Sequence, residues 1–336
     1  MFLPESNGEF STMSNTNFNP NAATYKMPEP RLETAQELLN RKIEAPKAIL
    51  NGLIYENSLG MLSGDSGAGK TWLLLHLAYA VAAGKLAEPW GAGAGVPIVY
   101  LDGETDESLF KERLQKISNR DKNPKTKKMG VLNFKVFGRI WNKEIPDLDT
   151  INGQKYIEKF IEEKYPKLII IDNLDTFCPT GLNNDKAYAE FTKWLTTLTA
   201  RGIAVLIAHH NNKAGKQHGS SVKMRRMNYA LSLKKTKEIP TEVETSFFLT
   251  IEKSRSSITR ILPDTRFVIR TKEVEGDLAT YVLQENLFSQ KSILENSVRE
   301  ALSNGESGKD IAKRLETSES MVSRIKKSME AEGGIS

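Results

Sequence analysis

Gly64-Asp65-Ser66-Gly67-Ala68-Gly69-Lys70-Thr71 is the stretch that decides how the rest of this chain is read. It is a complete G-x-x-x-x-G-K-[ST] loop, whose glycines let backbone N–H groups wrap around a triphosphate. The context that the motif needs flanks it. Ser58–Ser63 reads as a short buried strand, and Trp72–Ala83 as an apolar helix that aims its positive N-terminal end at the phosphates. Lys70 is placed to neutralise β and γ oxygens and Thr71 to hold Mg²⁺ through its hydroxyl, so ATP and Mg²⁺ are the expected cofactors. The nucleotide contacts are expected from Gly64, Asp65, Ser66, Gly67, Ala68, Gly69, Lys70, Thr71 and the adjoining Trp72.

Outward from the loop, short apolar runs alternate with helical segments, the mark of an α/β fold with a mainly parallel sheet flanked by helices. The expected strands are Gly60–Ser63, Pro97–Asp102, Phe134–Phe137, Leu168–Asp172 and Ala204–Ala208, each nearly continuous in apolar residues, as a strand buried on both faces should be. Helices are expected at Trp72–Ala83, Asp106–Ser118, Asn152–Lys164 and Asp185–Ala200. After Ala208 the strands read as antiparallel: Tyr229–Lys235, Phe247–Lys253, Arg266–Arg270 and Ala279–Leu283. A capping-box spacing, Thr34 with Glu37, predicts a short helix over Thr34–Ile43, which either packs on its own domain or on a neighbouring subunit.

Composition bounds the remaining choices. The chain has 336 residues, 39% hydrophobic and 26% charged, enough for a core of about 250 residues plus an appendage. No apolar run approaches the ~20 residues that span a bilayer, and no signal peptide is recognisable, so no membrane partner is expected. The single cysteine, Cys178, excludes an intrachain disulfide framework and reads as a small core residue, which fits a cytoplasmic setting. A net charge of +5 favours a polyanionic partner only mildly, so the placement of charge carries more than its sum. Residues 1–30 lack apolar periodicity and are expected to be disordered, with 1–12 reading as a vector-derived leader before Met13. The remaining domains are then 31–288, the nucleotide-binding core, and 289–336, a helical appendage.

Two carboxylates complete the expected chemistry. Lys167–Asp172 is a buried strand that delivers Asp172 at its carboxyl end, where open α/β sheets hold their ligands, and Asp172 is the expected Mg²⁺ partner of Thr71. Asn173 follows it and cannot activate water, so a base must come from elsewhere. Val99–Glu104 ends beside the first strand, and Glu104 is the expected group that orients the attacking water, with Asp102 as competitor or strand cap.

A glutamate after the second strand is a feature of RecA-like ATPases. From Pro46 to Leu283 the chain resembles the RecA-like hexameric helicases of the plasmid RepA type, relatives of DnaB and KaiC. The resemblance is carried by Pro46–Ile54, Gly64–Thr71, Tyr100–Glu104, Asp172–Asp175, His209-His210, Gly219–Ser221 and Lys253-Ser254-Arg255, in that order. It implies that His209 or His210 senses the γ-phosphate at the end of the fifth strand. It also implies that Lys253 and Arg255, on alternate positions of one strand, reach a neighbouring subunit's site, as an arginine finger does. Solvated edge-strand charge is the plainer reading of that pair.

The resemblance implies a homo-oligomer, a hexamer, on single-stranded DNA. In the related helicases a central-channel loop follows the sensor, and Lys213, Lys216, Lys223, Arg225 and Arg226 have the chemistry to hold a phosphate backbone. At the end of the chain, helices over 290–305, 307–315 and 319–331 place Ile311, Ala312, Leu315, Met321, Val322 and Ile325 where a helix-turn-helix buries its apolar residues. Ser323, Arg324, Lys326 and Lys327 would then face duplex DNA. Glu316 stands where such a turn usually has glycine, and a small bundle for protein contact is the alternative. The implied function is a DNA helicase replicating a plasmid or mobile element. The alternatives are a regulatory or recombination-associated ATPase that binds DNA without unwinding it, and a KaiC-like signalling ATPase.

Overall fold

The computed structural model describes residues 31–142, 145–179, 185–210, 226–236, 241, 244–255, 265–285, 290–315 and 317–331. The chain divides into two units, residues 1–41 and 42–336. In the first lies α1 (Ala35–Asn40), shorter than expected. It is closed by the expected capping box: Thr34 accepts from the Glu37 N–H, and the Glu37 carboxylate accepts from the Thr34 N–H at 2.7 Å. None of its residues is buried.

The second unit begins with a hairpin, β1 (Ala48–Leu50) and β2 (Ile54–Tyr55), and continues with β3 (Leu59–Gly64) and α2 (Lys70–Ala83). The small pair β4 (Leu86–Ala87) and β5 (Gly91–Ala92) precedes β6 (Ile98–Asp102), α3 (Glu107–Ser118), α4 (Pro124–Asn133) and β7 (Phe134–Gly138). Then come α5 (Ile151–Lys164), β8 (Leu168–Asp172), α6 (Leu174–Phe177), α7 (Asp185–Ala200), β9 (Ala204–His210) and β10 (Tyr229–Lys235). The long strands β11 (Glu244–Ser254), β12 (Thr265–Val274) and β13 (Asp277–Glu285) follow, and α8 (Gln290–Ser303), α9 (Gly308–Arg314) and α10 (Glu319–Ala331) end the chain.

Nine strands form one sheet in the order β13-β12-β11-β10-β3-β9-β8-β6-β7. The six from β10 to β7 are parallel, and β11, β12 and β13 extend the sheet antiparallel. This is the expected α/β architecture, a mainly parallel sheet flanked by helices, with an antiparallel extension. β10 pairs antiparallel with β11 as expected, and on its other edge it runs parallel to β3, a pairing its own residues do not signal. The basic run Arg120–Lys128 leads into α4, with Asn123 accepting from the Lys125 and Thr126 N–H groups and Pro124 in the first turn.

Alternate residues of the central strands feed two cores. Ile170 and Leu206 pack with α2 on one face, whereas Ile169, Ile171 and Ile207 pack with α5 and α7 on the other. Helix α2 is buried on nearly every side, so it reads as uniformly apolar rather than amphipathic. Cys178 lies in the second core, and burial pushes its thiol up, out of reach of ordinary thiolate chemistry.

Strand β3 sits so close to β10 that a Cβ at Gly60 would fall 2.1 Å from the Tyr229 ring. Gly60→Ala is therefore expected to lower stability by about 1–3 kcal/mol through overpacking. Denaturant melts measure this, and an unchanged midpoint would contradict the close β3–β10 approach.

The last three helices have an apolar cluster of their own. Ile311, Ala312, Val322 and Ile325 are buried there as expected, joined by Val298, Ala301 and Met329, while Leu315 and Met321 are partly buried. Ser323, Arg324, Lys326 and Lys327 are exposed on α10. Glu316 lies outside the described residues. Among the described residues no helix is long and apolar enough to cross a membrane.

Candidate functional site

Parallel register aligns the carboxyl ends of four strands. Gly64 of β3 pairs with His210 of β9, and Asp102 of β6 pairs with Asp172 of β8, so residues far apart in sequence meet at one edge of the sheet. A cleft of about 520 Å³ opens there, lined by residues that include Ser66, Lys70, Thr71, Glu104, Asp172 and His210.

The phosphate loop is shaped for an anion. Gly69 caps α2 at φ 92° without a side-chain hydrogen bond, so the first-turn N–H groups of α2 lack that partner. A side chain at Gly69 would also be crowded: its Cβ would fall 2.9 Å from Ile269 Cδ1 and 3.2 Å from Phe247 Cδ1. The antiparallel extension thus braces the loop from behind.

Lys70 is buried, and its Nζ donates to Gly64 O at 2.8 Å and Asp65 O at 2.9 Å and lies 3.1 Å from His210 Nδ1. Burial lowers its ammonium below the ordinary value, while Asp172, Glu104, Asp65 and Asp175 pull the other way. Asp172 is buried, and burial raises its carboxyl against hydrogen bonds from Tyr100 and Thr71. The Tyr100 hydroxyl donates to Asp172 Oδ2 at 2.7 Å, and burial with the nearby carboxylates keeps that phenol protonated.

The Thr71 hydroxyl and the Asp172 carboxylate are adjacent hard oxygen donors, which suits Mg²⁺ held jointly with nucleotide phosphates. Among the described residues no three His, Cys, Asp or Glu side chains gather as a metal cage. A shared Mg²⁺ site does not need one.

Asp102 and Glu104 separate cleanly. Asp102 is buried and accepts from the Thr105 N–H at 2.7 Å, the Thr105 hydroxyl at 2.9 Å and the Glu104 N–H at 3.1 Å, so it ties the turn that presents Glu104. Burial pushes its carboxyl up to about 6, and those same donors hold it down. Glu104 is exposed in the cleft, with Oε1 3.5 Å from His210 Nε2.

The two histidines point to opposite faces of β9, as neighbours on a strand must. His210 lines the cleft, with Nε2 2.9 Å from Asn173 Nδ2. His209 is buried, 3.5 Å from Asp175 Oδ2, which also accepts from the His210 N–H at 3.3 Å. Burial opposes the Asp175 charge, yet His209 and His210 bring that carboxyl below its ordinary value.

Lys253 and Arg255 are not brought into this cleft. Tyr229 pairs with Gly60 on one side and Ser254 on the other, which puts them at the opposite end of β3, roughly 15 Å from Gly64. Arg255 also lies one residue beyond β11 rather than within a strand, its N–H donating to Asn228 O at 2.8 Å. Lys213, Lys216, Lys223 and Arg225 fall outside the described residues, and Arg226 is exposed in the turn before β10.

Sequence reading missed several contributors. Arg113 on α3 stacks over the Trp72 ring at 5.7 Å, and both line the cleft. Lys235 ends β10 with Nζ 3.3 Å from the point where a Gly67 Cβ would stand. Tyr100, in a run of buried apolar residues, gave no polar signal. A single arginine on an amphipathic helix, or a lysine ending a strand, looks like ordinary surface charge until the elements are assembled.

The profile of the AAA domain family matches residues 25–216. The chain is 32% identical over 143 residues to the DNA repair protein RAD57 of Saccharomyces cerevisiae, covering 42% of this chain and 29% of that protein. It is 26% identical over 192 residues to the DNA repair protein RadA of Halalkalibacterium halodurans, covering 56% of this chain and 34% of that protein. The chain thus spans about a third of the length of these relatives. Among solved structures, the KaiC-like protein PH0186 of Pyrococcus horikoshii OT3 superimposes with a TM-score of 0.45 at 15% identity, over 70% of this chain and all of that one. With residues 25–216, more than half of its length, matched by one family profile, the chain belongs to the AAA domain family.

Proposed function

We propose that the chain is an ATP-hydrolysing motor that assembles as a ring, a hexamer, and works on single-stranded DNA, with duplex unwinding as its output. The observation that carries this reading is the convergence of Lys70, Thr71, Asp172, Glu104 and His210 on one cleft at the carboxyl edge of the sheet. Lys70 neutralises the β and γ oxygens, Thr71 and Asp172 hold Mg²⁺, and Glu104 orients the attacking water. Bound Mg²⁺ supplies charge neutralisation on the phosphates.

His210 is the sensor in this reading. A neutral imidazole has one lone-pair nitrogen, so it accepts fully from Lys70 or from Asn173, not from both. A γ-phosphate that draws Lys70 forward releases the ring to Asn173. His210 ends β9, and the basic segment with Lys213, Lys216, Lys223 and Arg225 follows directly in sequence, so the rearrangement is passed to the proposed DNA contacts. Arg226 adds to them, and Ser323, Arg324, Lys326 and Lys327 on α10 offer a second, duplex-facing set in a helix-turn-helix.

The printed names of the relatives favour a second reading, a repair- or recombination-associated ATPase that uses nucleotide to assemble on DNA without unwinding. ATPase rates with and without single-stranded DNA, together with a forked-duplex unwinding assay, separate the two. Stimulation with unwinding supports the motor; stimulation without unwinding supports the second; no salt-sensitive DNA binding sinks both.

The division of labour between the carboxylates is tested in the same assay. Glu104→Gln is expected to bind ATP normally and lose about 10²-fold or more in turnover, because only the water-orienting charge is removed. Asp102→Asn keeps an acceptor for the Thr105 N–H and should retain most activity. The reverse ranking would reassign the base to Asp102.

A further inference from the structure

A second cavity of about 520 Å³ shares no lining residue with the nucleotide cleft. Its walls come from α2 (His76), the turn after α2 (Lys85), the α3–α4 connection (Arg120, Lys122) and the sheet-edge strand β13 (Tyr281). His76 is six residues beyond Lys70 on the same helix, about 9 Å along its axis.

The polar groups here are unbalanced. Arg120 touches His76 Nδ1, donates to His76 O at 3.3 Å and stacks 5.5 Å from the Tyr79 ring centroid. All three are uncharged partners, and among the described residues no carboxylate forms an ion pair with Arg120. The adjacent Asp121 is engaged elsewhere: it pairs with Lys85 at 2.9 Å and accepts from the Thr126 hydroxyl at 2.8 Å. Lys122 meets Glu275 at 2.8 Å, but both side chains are well exposed, so that pair is weak. Glu88 is the other carboxylate in the lining, and it is exposed.

His76 adds a donor. Arginine can only donate, so His76 Nδ1 accepts and the ring proton lies on Nε2. Burial, reinforced by the Arg120 charge, holds the ring neutral. Its Nε2 is buried and has no hydrogen-bond partner. Arg120 is half-buried, Asp121 acts on it without a direct ion pair, and the His76 N–H is buried without an acceptor; one anionic ligand group relieves both. The volume exceeds what a bare oxyanion needs, and Leu86, Tyr281 and Val282 line the rest of it, with Lys272 Nζ over one face of the Tyr281 ring at 4.8 Å from its centroid.

We propose that this cavity is a second ligand site, which binds a small phosphomonoester bearing a planar ring. Arg120 and His76 Nε2–H take the phosphate, Lys122 supplies further positive charge at the mouth, and Tyr281 lies against the ring.

The test uses the full chain labelled with ¹⁵N-histidine, with the nucleotide cleft saturated by Mg-ADP. Phenyl phosphate, which has the required ring but no purine, is titrated, and inorganic phosphate is titrated alongside. A saturable shift of the His76 Nε2 resonance is expected, identified by its loss in His76→Asn, with phenyl phosphate at least ~10-fold tighter than phosphate. Arg120→Gln should weaken binding at least ~10-fold. Because that variant touches a half-buried group packed on Tyr79, the exposed Lys122→Glu is measured as well and should weaken binding several-fold with the fold intact. No saturable shift with either probe, or undiminished affinity in Lys122→Glu, overturns the proposal. Equal affinity for the two probes overturns the ring assignment.

Discussion

Lys70→Ala is expected to reduce ATP turnover by 10²–10³-fold or more and to weaken nucleotide binding. The side chain is the one cation that the phosphate loop itself supplies, and it acts from a buried position where a charge on phosphate is poorly screened. Nothing in the loop replaces it. Gly64 O and Asp65 O, to which it donates, are acceptors, and Thr71 offers only a hydroxyl. Lys70→Arg is not expected to restore activity, since a planar fork does not fit a slot shaped for a compact ammonium between two carbonyls and an imidazole ring. Steady-state ATPase and equilibrium nucleotide binding check both variants. Turnover within tenfold of the parent in Lys70→Ala would mean that Lys235 or a neighbouring subunit supplies the charge.

The second large effect concerns the subunit boundary of the proposed ring. Arg255 stands at the far end of β3 from its own phosphate loop, so if it serves a γ-phosphate at all, that phosphate belongs to another subunit. Arg255→Ala is then expected to lose on the order of 10³-fold in turnover with nucleotide binding retained. Mixing should recover part of the loss. An Arg255→Ala subunit keeps an intact phosphate loop, a Lys70→Ala subunit keeps an intact Arg255, and mixed rings contain some complete composite sites. Steady-state ATPase over a titration of the two variants at fixed total protein reads this, with assembly followed by light scattering. No recovery despite co-assembly, or full activity of Arg255→Ala alone, removes Arg255 from the site and leaves Lys253.

Much of the core was legible in sequence because its signals are local. The phosphate loop declares itself by spacing, Leu168–Asp172 by an unbroken apolar run, and α1 by a capping box whose members are three residues apart. The apolar set of the last three helices was legible for the same reason, since Ile311, Val322 and Ile325 follow helical spacing. The parallel pairing of β10 with β3 was not, because parallel and antiparallel pairing differ in the path of the connection rather than in the residues paired.

The chain by itself determined which chemical groups are present and which strand end carries each: Lys70 and Thr71 after β3, Glu104 after β6, Asp172 closing β8, His210 closing β9. Only the tertiary structure decided what they do to one another. Register across strands up to ~140 residues apart set Lys70 against His210, buried Asp172 under Tyr100, turned His209 to the opposite face, and tied Asp102 into the turn that carries Glu104. Those outcomes depend on distance, burial and the direction of side chains. Such quantities arise only when non-local segments pack, and no window of sequence contains them.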